Sequence, residues 1–317
     1  MAHPELNLPS PLQKIYPSGF EDINLYIKRD DLIHTHISGN KWRKLQKTFV
    51  NLNTNKYDKI VTFGGAFSNH LVATAVACSL HGINCSAYVR TDSIDLQNPT
   101  LALCLKYGMK LFPLDRNTYS EKRDDDFLAE LHETNPRSLL IPEGGFHRNA
   151  IEGLSEMMAE IHSKINPDLF VVSLGTGCTA SGVVQYRKDS QVWISPAIKQ
   201  FTSAAIVKAH HSIYKSNFPK DQVKIIYHKE DRAYAKKDLQ LFLEIESFLK
   251  ETGILLDPIY TGKAWRMLKS KISNIEKGSN VVLIHTGGLQ AWKGYFYRFP
   301  ALKDQLPEIF KIMANEV

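Results

Sequence analysis

Four cysteines in 317 residues, Cys78, Cys85, Cys104 and Cys178, are too few and too irregularly spaced for a disulfide scaffold. No Cys-x-x-Cys pair is present, and Cys78 and Cys104 fall in apolar helical patterns, which predicts buried thiols. No apolar run is long enough to span a bilayer. The opening residues Met-Ala-His-Pro-Glu-Leu lack the basic-then-apolar pattern of a signal peptide, so the expected location is cytoplasmic. There is no His-Glu-x-x-His, and His210-His211 lies in a polar helical stretch, so no metal site is expected. A Gly-x-Ser-x-Gly elbow is absent. So is a Gly-x-x-x-x-Gly-Lys-Ser/Thr loop, and Thr261-Gly262-Lys263 is therefore no nucleotide P-loop. The net charge of +6 is spread along the chain without a basic, aromatic-interleaved stripe, which argues against nucleic acid as a partner.

What is present is a chain 43% hydrophobic and 23% charged, the balance of a globular protein of two domains. Short β-rich runs alternate with helical patterns. Strands are predicted at 59–63, 85–89, 110–112, 139–141, 169–173, 192–194, 223–227 and 281–285, with helices between most of them. That alternation predicts βαβ units and mostly parallel sheets flanked by helices. Runs such as Val281-Val282-Leu283-Ile284 are apolar without alternation, as expected of strands covered on both faces. No linker or internal repeat separates the parts, and Pro142-Glu143-Gly144-Gly145 marks a plausible boundary.

Five segments place Gly, Ser, Thr or Asn just past a predicted strand, where open parallel sheets bind ligands. They are 64–70, Gly144-Gly145, 175–179, 260–262 and 286–288. Gly175-Thr176-Gly177-Cys178-Thr179 could cradle a phosphate with backbone N–H groups and hydroxyls; it also fits an ordinary strand–helix turn and a Gly-x-Gly-x-x-Ala dinucleotide pattern. Ser68-Asn69-His70 reads as a helix cap, as a carboxylate pocket with hydroxyl, amide and imidazole donors, or as both. In Ser38-Gly39-Asn40-Lys41-Trp42-Arg43-Lys44-Leu45, three cations crowd the first turn of a predicted helix capped by Ser38 or Asn40. Cations oppose the dipole there, so the string reads either as half of an anion site or as a solvated basic patch.

Taken together and in order, these segments resemble the 1-aminocyclopropane-1-carboxylate (ACC) deaminase / D-cysteine desulfhydrase family. The carriers are Ile27-Lys28-Arg29-Asp30-Asp31, Gly39-Asn40-Lys41, Arg43-Lys44-Leu45, Ser68-Asn69-His70, Gly175-Thr176-Gly177, Thr179, the run 256–263 and His285-Thr286-Gly287-Gly288. The resemblance implies a pyridoxal 5'-phosphate (PLP) enzyme with a two-domain, tryptophan synthase β-like α/β fold (type II). It implies a larger PLP-binding domain, 1–44 with 146–317, and a smaller mobile domain, 45–145. It implies that Lys41 forms the Schiff base, that Lys44 helps hold the phosphate, and that Thr176, Gly177, Cys178 and Thr179 bind it. Ser68, Asn69 and His70 would take the substrate carboxylate, with Asn69 also beside the cofactor's phenolic oxygen. Tyr260 and Tyr234 would line the active site, and a homodimer is the family expectation.

One pair of positions discriminates within the family. ACC deaminase-like members carry Glu after the second tyrosine and Leu before the late Gly-Gly, whereas desulfhydrase-like members carry Ser or Thr at both. This chain has Thr261, expected to face the cofactor ring, and Thr286, expected to line the substrate. A hydroxyl in place of a carboxylate weakens the electron sink. The expected activity is therefore β-elimination from a small amino acid, D-cysteine above all, giving pyruvate, ammonia and sulfide. ACC deamination and a non-catalytic PLP-binding role are the alternatives, and a nicotinamide dehydrogenase rests only on the glycine pattern. Departures from the family pattern fall at Phe146-His147 and at 235–238.

Overall fold

The computed structural model describes residues 6–37, 39–122, 124–197, 202–230 and 235–315. Ten strands form two sheets: β1 (Leu12–Ile15), β2 (Asn24–Arg29), β3 (Lys59–Gly65), β4 (Asn84–Arg90), β5 (Lys110–Leu114), β6 (Ser138–Ile141), β7 (Leu169–Leu174), β8 (Gln191–Pro196), β9 (Val223–Ile225) and β10 (Asn280–His285). The larger sheet has the order β1-β2-β10-β7-β8-β9 and the smaller β5-β4-β3-β6. Among the described residues only the β1–β2 pair is antiparallel. The other pairs are parallel, joined by helical crossovers, so the chain is an α/β protein of the expected class.

The continuous apolar runs have the anticipated cause. In the larger sheet Leu169, Val171, Val281 and Leu283 join a core on one face, while Phe170, Val172, Val282 and Ile284 join a core on the other. The smaller sheet repeats this: Ile60, Cys85, Ala87 and Ile141 pack on one side, and Val61 and Phe63 on the other. β5 carries Pro113 and sits at a sheet edge, where a missing N–H costs no ladder bond. All four cysteines are buried thiols. Among the described residues no helix is long and apolar enough to cross a membrane.

β1 and β2 were not among the predicted strands. β2 reads Asn-Leu-Tyr-Ile-Lys-Arg, and its charges obscure the strand pattern. Lys28 is nevertheless buried, because it reaches Glu160 on the Ala150–His162 helix and the carbonyl of Ser10.

The start of the Asn40–Val50 helix corrects another expectation. Gly39, not Asn40, is the N-cap, with φ 68° and no side-chain cap; Ser38 lies outside the described residues. Gly39 donates its N–H to Asp30 O (2.8 Å), and Asn40 donates to Thr286 O (3.2 Å). A Cβ on Gly39 would stand 1.9 Å from that Thr286 oxygen, so only glycine permits the approach. Asn40 is then the first helical residue, and its side-chain amide donates to Thr179 Oγ1 (2.9 Å). The segments that follow β2, β7 and β10 thereby converge on the first turn of one helix.

Candidate active site

The three cations of that turn have different fates. Arg43 turns away into the interior, where it is fully buried. Its guanidinium forks onto Glu160 (both contacts 2.7 Å) and donates to Asp30 Oδ1 (3.0 Å). Burial opposes its charge, yet Asp30 and Glu160 hold its pKa above the ordinary value. Arg43 is a structural pin that ties the helix start to the Asp30 turn and to the Ala150–His162 helix.

Lys41 and Lys44 face the other way, and the charge of Lys44 acts on the Lys41 amine. Lys44 also donates to Gly144 O (3.2 Å). Lys41 keeps partial exposure as a residue, but the protein packed around its amine, with Lys44's like charge next, pushes its pKa well below the ordinary lysine value. Burial lowers Lys44 as well. No carboxylate bonds to either amine among the described residues. Two amines without a counter-ion favour an anion between or beside them.

The loops after the strands close around this pair. In the turn after β6, Gly144 and Gly145 have φ of 73° and 70°. A Cβ on Gly144 would meet Thr176 Cγ2 at 2.6 Å, and one on Gly145 would stand 3.4 Å from Lys44 Cβ. After β7, Gly177 (φ 92°) caps the Cys178–Tyr186 helix, whose first N–H groups carry no side-chain cap. Cys178 Sγ lies 4.0 Å from Gly145 O, and burial pushes its thiol up while the two lysines oppose that. Thr176, Gly177, Cys178 and Thr179 therefore stand together beside Lys44.

Ser68 caps the Asn69–Leu80 helix by accepting from the His70 N–H (3.3 Å). Asn69 lies against Gly288, whose hypothetical Cβ would be 2.5 Å from Asn69 Nδ2. Asn69 Oδ1 is buried without a hydrogen-bond partner. His70 is buried, with Nε2 2.8 Å from Thr62 Oγ1. Burial, then Lys41 and Lys44, depress its pKa well below the usual imidazole range. The ring is neutral at neutral pH.

Tyr260 packs on Gly175, where a Cβ would stand 3.1 Å from its ring. Thr261 is fully buried: its hydroxyl donates to Asp257 Oδ2 and accepts from the Asp257 N–H (3.0 Å). Asp257 also accepts from the N–H groups of Ile259, Tyr260 and Thr261, which fixes this turn. Thr286 is buried with its carbonyl against Gly39 and Asn40. Tyr234 lies outside the described residues.

The model of the family described as pyridoxal-phosphate dependent enzymes matches residues 5–287. The chain belongs to that family. A candidate ACC deaminase of Pyrococcus abyssi is 27% identical over 282 residues, covering 84% of this chain and 85% of the relative. The bifunctional mitochondrial D-cysteine desulfhydrase/ACC deaminase of Arabidopsis thaliana is 26% identical over 342 residues, covering 98% and 81%. A crystal structure of an ACC deaminase homologue superposes with a TM-score of 0.78 at 23% identity, covering 96% of this chain and 95% of that one. A hydrogen sulfide-producing enzyme from Fusobacterium nucleatum gives 0.67 at 18%, covering 88% and 95%. These structural likenesses carry the type II fold of PLP enzymes.

The residues present fit PLP. The unneutralised Lys41–Lys44 pair suits an aldehyde-bearing phosphate, and the glycines at 144, 145 and 177 leave room where any Cβ would intrude or strain the backbone. Three neighbours escaped the sequence reading: Gly144 O as the Lys44 acceptor, Asn40 as the Thr179 anchor, and Thr62 as the His70 partner. Thr62 carried a signal, being the one hydroxyl in an otherwise apolar central stretch of β3.

Proposed function

We propose that this chain is a PLP-dependent lyase that eliminates a β-substituent from a small amino acid, with D-cysteine as the leading substrate. The products would be pyruvate, ammonia and sulfide after one water is consumed. The observation that carries the choice within the family is the pair Thr261 and Thr286 at the positions that separate desulfhydrase-like from ACC deaminase-like members. When bound, PLP supplies an aldehyde for the amino group and a ring that stabilises negative charge at the α-carbon.

The chain's own residues divide the remaining work. Lys41 anchors the cofactor and, once its amine is free, takes the α-proton; its lowered pKa keeps that amine neutral more readily than an exposed lysine's. Lys44 and the 176–179 loop hold the phosphate. Ser68 and Asn69 with the helix start at His70 receive the substrate carboxylate, and Thr286 borders the same space. Tyr260 flanks the reacting atoms and its phenol can move a proton to or from the β-substituent, a role that the family resemblance extends to Tyr234. The Thr261 hydroxyl donates its hydrogen bond to Asp257 Oδ2, and turning that proton toward a ring nitrogen would exchange one acceptor for the other without supplying a negative charge beside the ring. The same reading divides the chain at 45 and 145, with the smaller unit moving against the larger, and carries a cytoplasmic homodimer as its expected form.

ACC deamination remains the second reading, favoured by the names of the Pyrococcus and Arabidopsis relatives. Incubation with D-cysteine, L-cysteine, β-chloro-D-alanine and ACC separates the two. Pyruvate and sulfide from D-cysteine support the proposal. 2-Oxobutyrate from ACC alone supports the second reading. No oxo acid from any of them contradicts both and leaves a non-catalytic PLP-binding role.

A further inference from the structure

The Ala291–Arg298 helix makes two sets of contacts that the proposed chemistry does not use. The first set receives the loop that follows β3. A Cβ on Gly294 would stand 2.8 Å from Phe67 Cδ1, so the Phe67 ring lies directly on the helix backbone at this glycine. One turn on, the Arg298 guanidinium lies over the same ring, 5.3 Å from its centre. Phe67 immediately precedes Ser68, the cap of the Asn69–Leu80 helix. Just ahead of the Ala291–Arg298 helix, Gly288 meets Asn69, where a Cβ would stand 2.5 Å from Nδ2. The helix and its leading turn thus touch the 67–69 loop at both ends.

The second set holds residues 235 and 236, part of the stretch that departs from the family pattern. Arg298 Nη2 donates to Ala235 O (2.9 Å), and the Tyr295 hydroxyl donates to Lys236 O (3.2 Å). Ala235 has φ of 49°, a conformation that a residue with a Cβ seldom adopts and that its surroundings must hold. Arg298 is exposed, and a cation in the last turn of a helix is favourable wherever it points. A solvated side chain would satisfy that preference. It does not account for a guanidinium lying 4.9–5.3 Å from the ring centres of Phe67, Tyr295 and Phe299 while bonded to a carbonyl. One planar cation therefore joins two segments, over Phe67 in the first and onto Ala235 O in the second.

We propose that Arg298, with Gly294 as the seat of Phe67, is a positioning residue that ties the Ser68–Asn69 loop to the 235–236 segment and thereby sets the affinity for the substrate carboxylate. The inference rests on Ser68 and Asn69 receiving that carboxylate. Phe67 is the handle. While its ring is seated, the loop is already ordered when an amino acid arrives. Once the ring is released, each binding event must order the loop again, and binding weakens. Arg298 acts through the loop and not on the reacting atoms, so its loss falls on KM and not on the chemical step.

Hydrogen exchange of the full-length protein, read by mass spectrometry, follows the two segments directly. Arg298→Ala should quicken exchange in peptides covering 64–70 and 235–240 together. Gly294→Ala should quicken the 64–70 peptide, because its methyl meets the Phe67 ring, although alanine is the better helix former and the melting temperature should change little. Each variant should raise the KM for D-cysteine about three- to ten-fold, with kcat within about two-fold and PLP affinity unchanged. Arg298→Lys keeps a cation over Phe67 and should recover part of the KM. Tyr297→Phe breaks the neighbouring bond from Tyr297 to Asp95 Oδ2 (2.5 Å) and should leave KM unchanged. Unchanged exchange at 64–70 in both Gly294→Ala and Arg298→Ala overturns the proposal. So does faster exchange across the whole chain in both, or a KM that responds equally to Tyr297→Phe. A wild-type chain that yields no oxo acid contradicts the proposed function instead, and the exchange result, which needs no substrate, still decides the tie.

Discussion

Lys41 and Lys44, one helical turn apart, stand close enough that the charge of Lys44 depresses the Lys41 pKa, with no carboxylate bonded to either amine among the described residues. Arg43, between them in sequence, is the residue that received the counter-ions. The first turn of this helix therefore separates a structural cation from the two lysines proposed to hold the cofactor.

Removing Lys44 tests the division. Lys44→Ala should weaken PLP binding ten-fold or more, as expected from losing a hydrogen bond to a charged group at about 1.5–3 kcal/mol. It should also raise the Lys41 pKa, because a neighbouring like charge disappears. A PLP titration followed by absorbance, together with the pH dependence of Lys41 labelling, checks both.

Glu160→Gln tests the structural side. It leaves Arg43 and Lys28, both buried, without their shared carboxylate, at a cost of about 3–5 kcal/mol. Chemical denaturation should register that loss. Burial raises the Glu160 pKa, but the hydrogen bonds from Arg43 and Lys28 outweigh it and leave the folded pKa below the unfolded one. The stability from Glu160 is thus complete above the ordinary glutamate pKa and is lost as pH falls through the depressed value. The gap between wild type and Glu160→Gln should narrow in acid.

Gly39→Ala should damage fold and site together. The added methyl meets the Thr286 carbonyl at 1.9 Å, and φ of 68° is unfavourable for alanine. The backbone effect alone exceeds about 1 kcal/mol, and relief of the clash must move the loop that delivers Lys41. A lower melting temperature with weaker PLP binding is expected.

Gly144→Ala is the local counterpart. Its methyl would meet Thr176 Cγ2 at 2.6 Å, beside the proposed phosphate loop but outside the apolar cores. PLP affinity should fall by more than the melting temperature predicts, as titrations and melts on one preparation would reveal.

Much of this was readable in the chain because strands covered on both faces and the glycine loops after them leave compact local signals. Val281-Val282-Leu283-Ile284 and Gly175-Thr176-Gly177 are of that kind. The burial of Lys28 and Arg43 was not readable, since it depends on Glu160, which lies 117 residues beyond Arg43. Nor was the Asn40 bond to Thr179, which spans 139 residues and converts an expected cap into an inter-element tie. The contacts of Thr62 with His70 and with Ile141 O needed the parallel register of β3 and β6, which sets Thr62 opposite Ile141.

The central claim is that Lys41, and not its neighbour Lys44, bonds the cofactor. Borohydride reduction of the PLP-loaded protein, followed by digestion and mass spectrometry, decides it. The account predicts a phosphopyridoxyl group on Lys41, absent in Lys41→Ala even where Lys44 remains. A modification on Lys44, or none on either lysine, would contradict it.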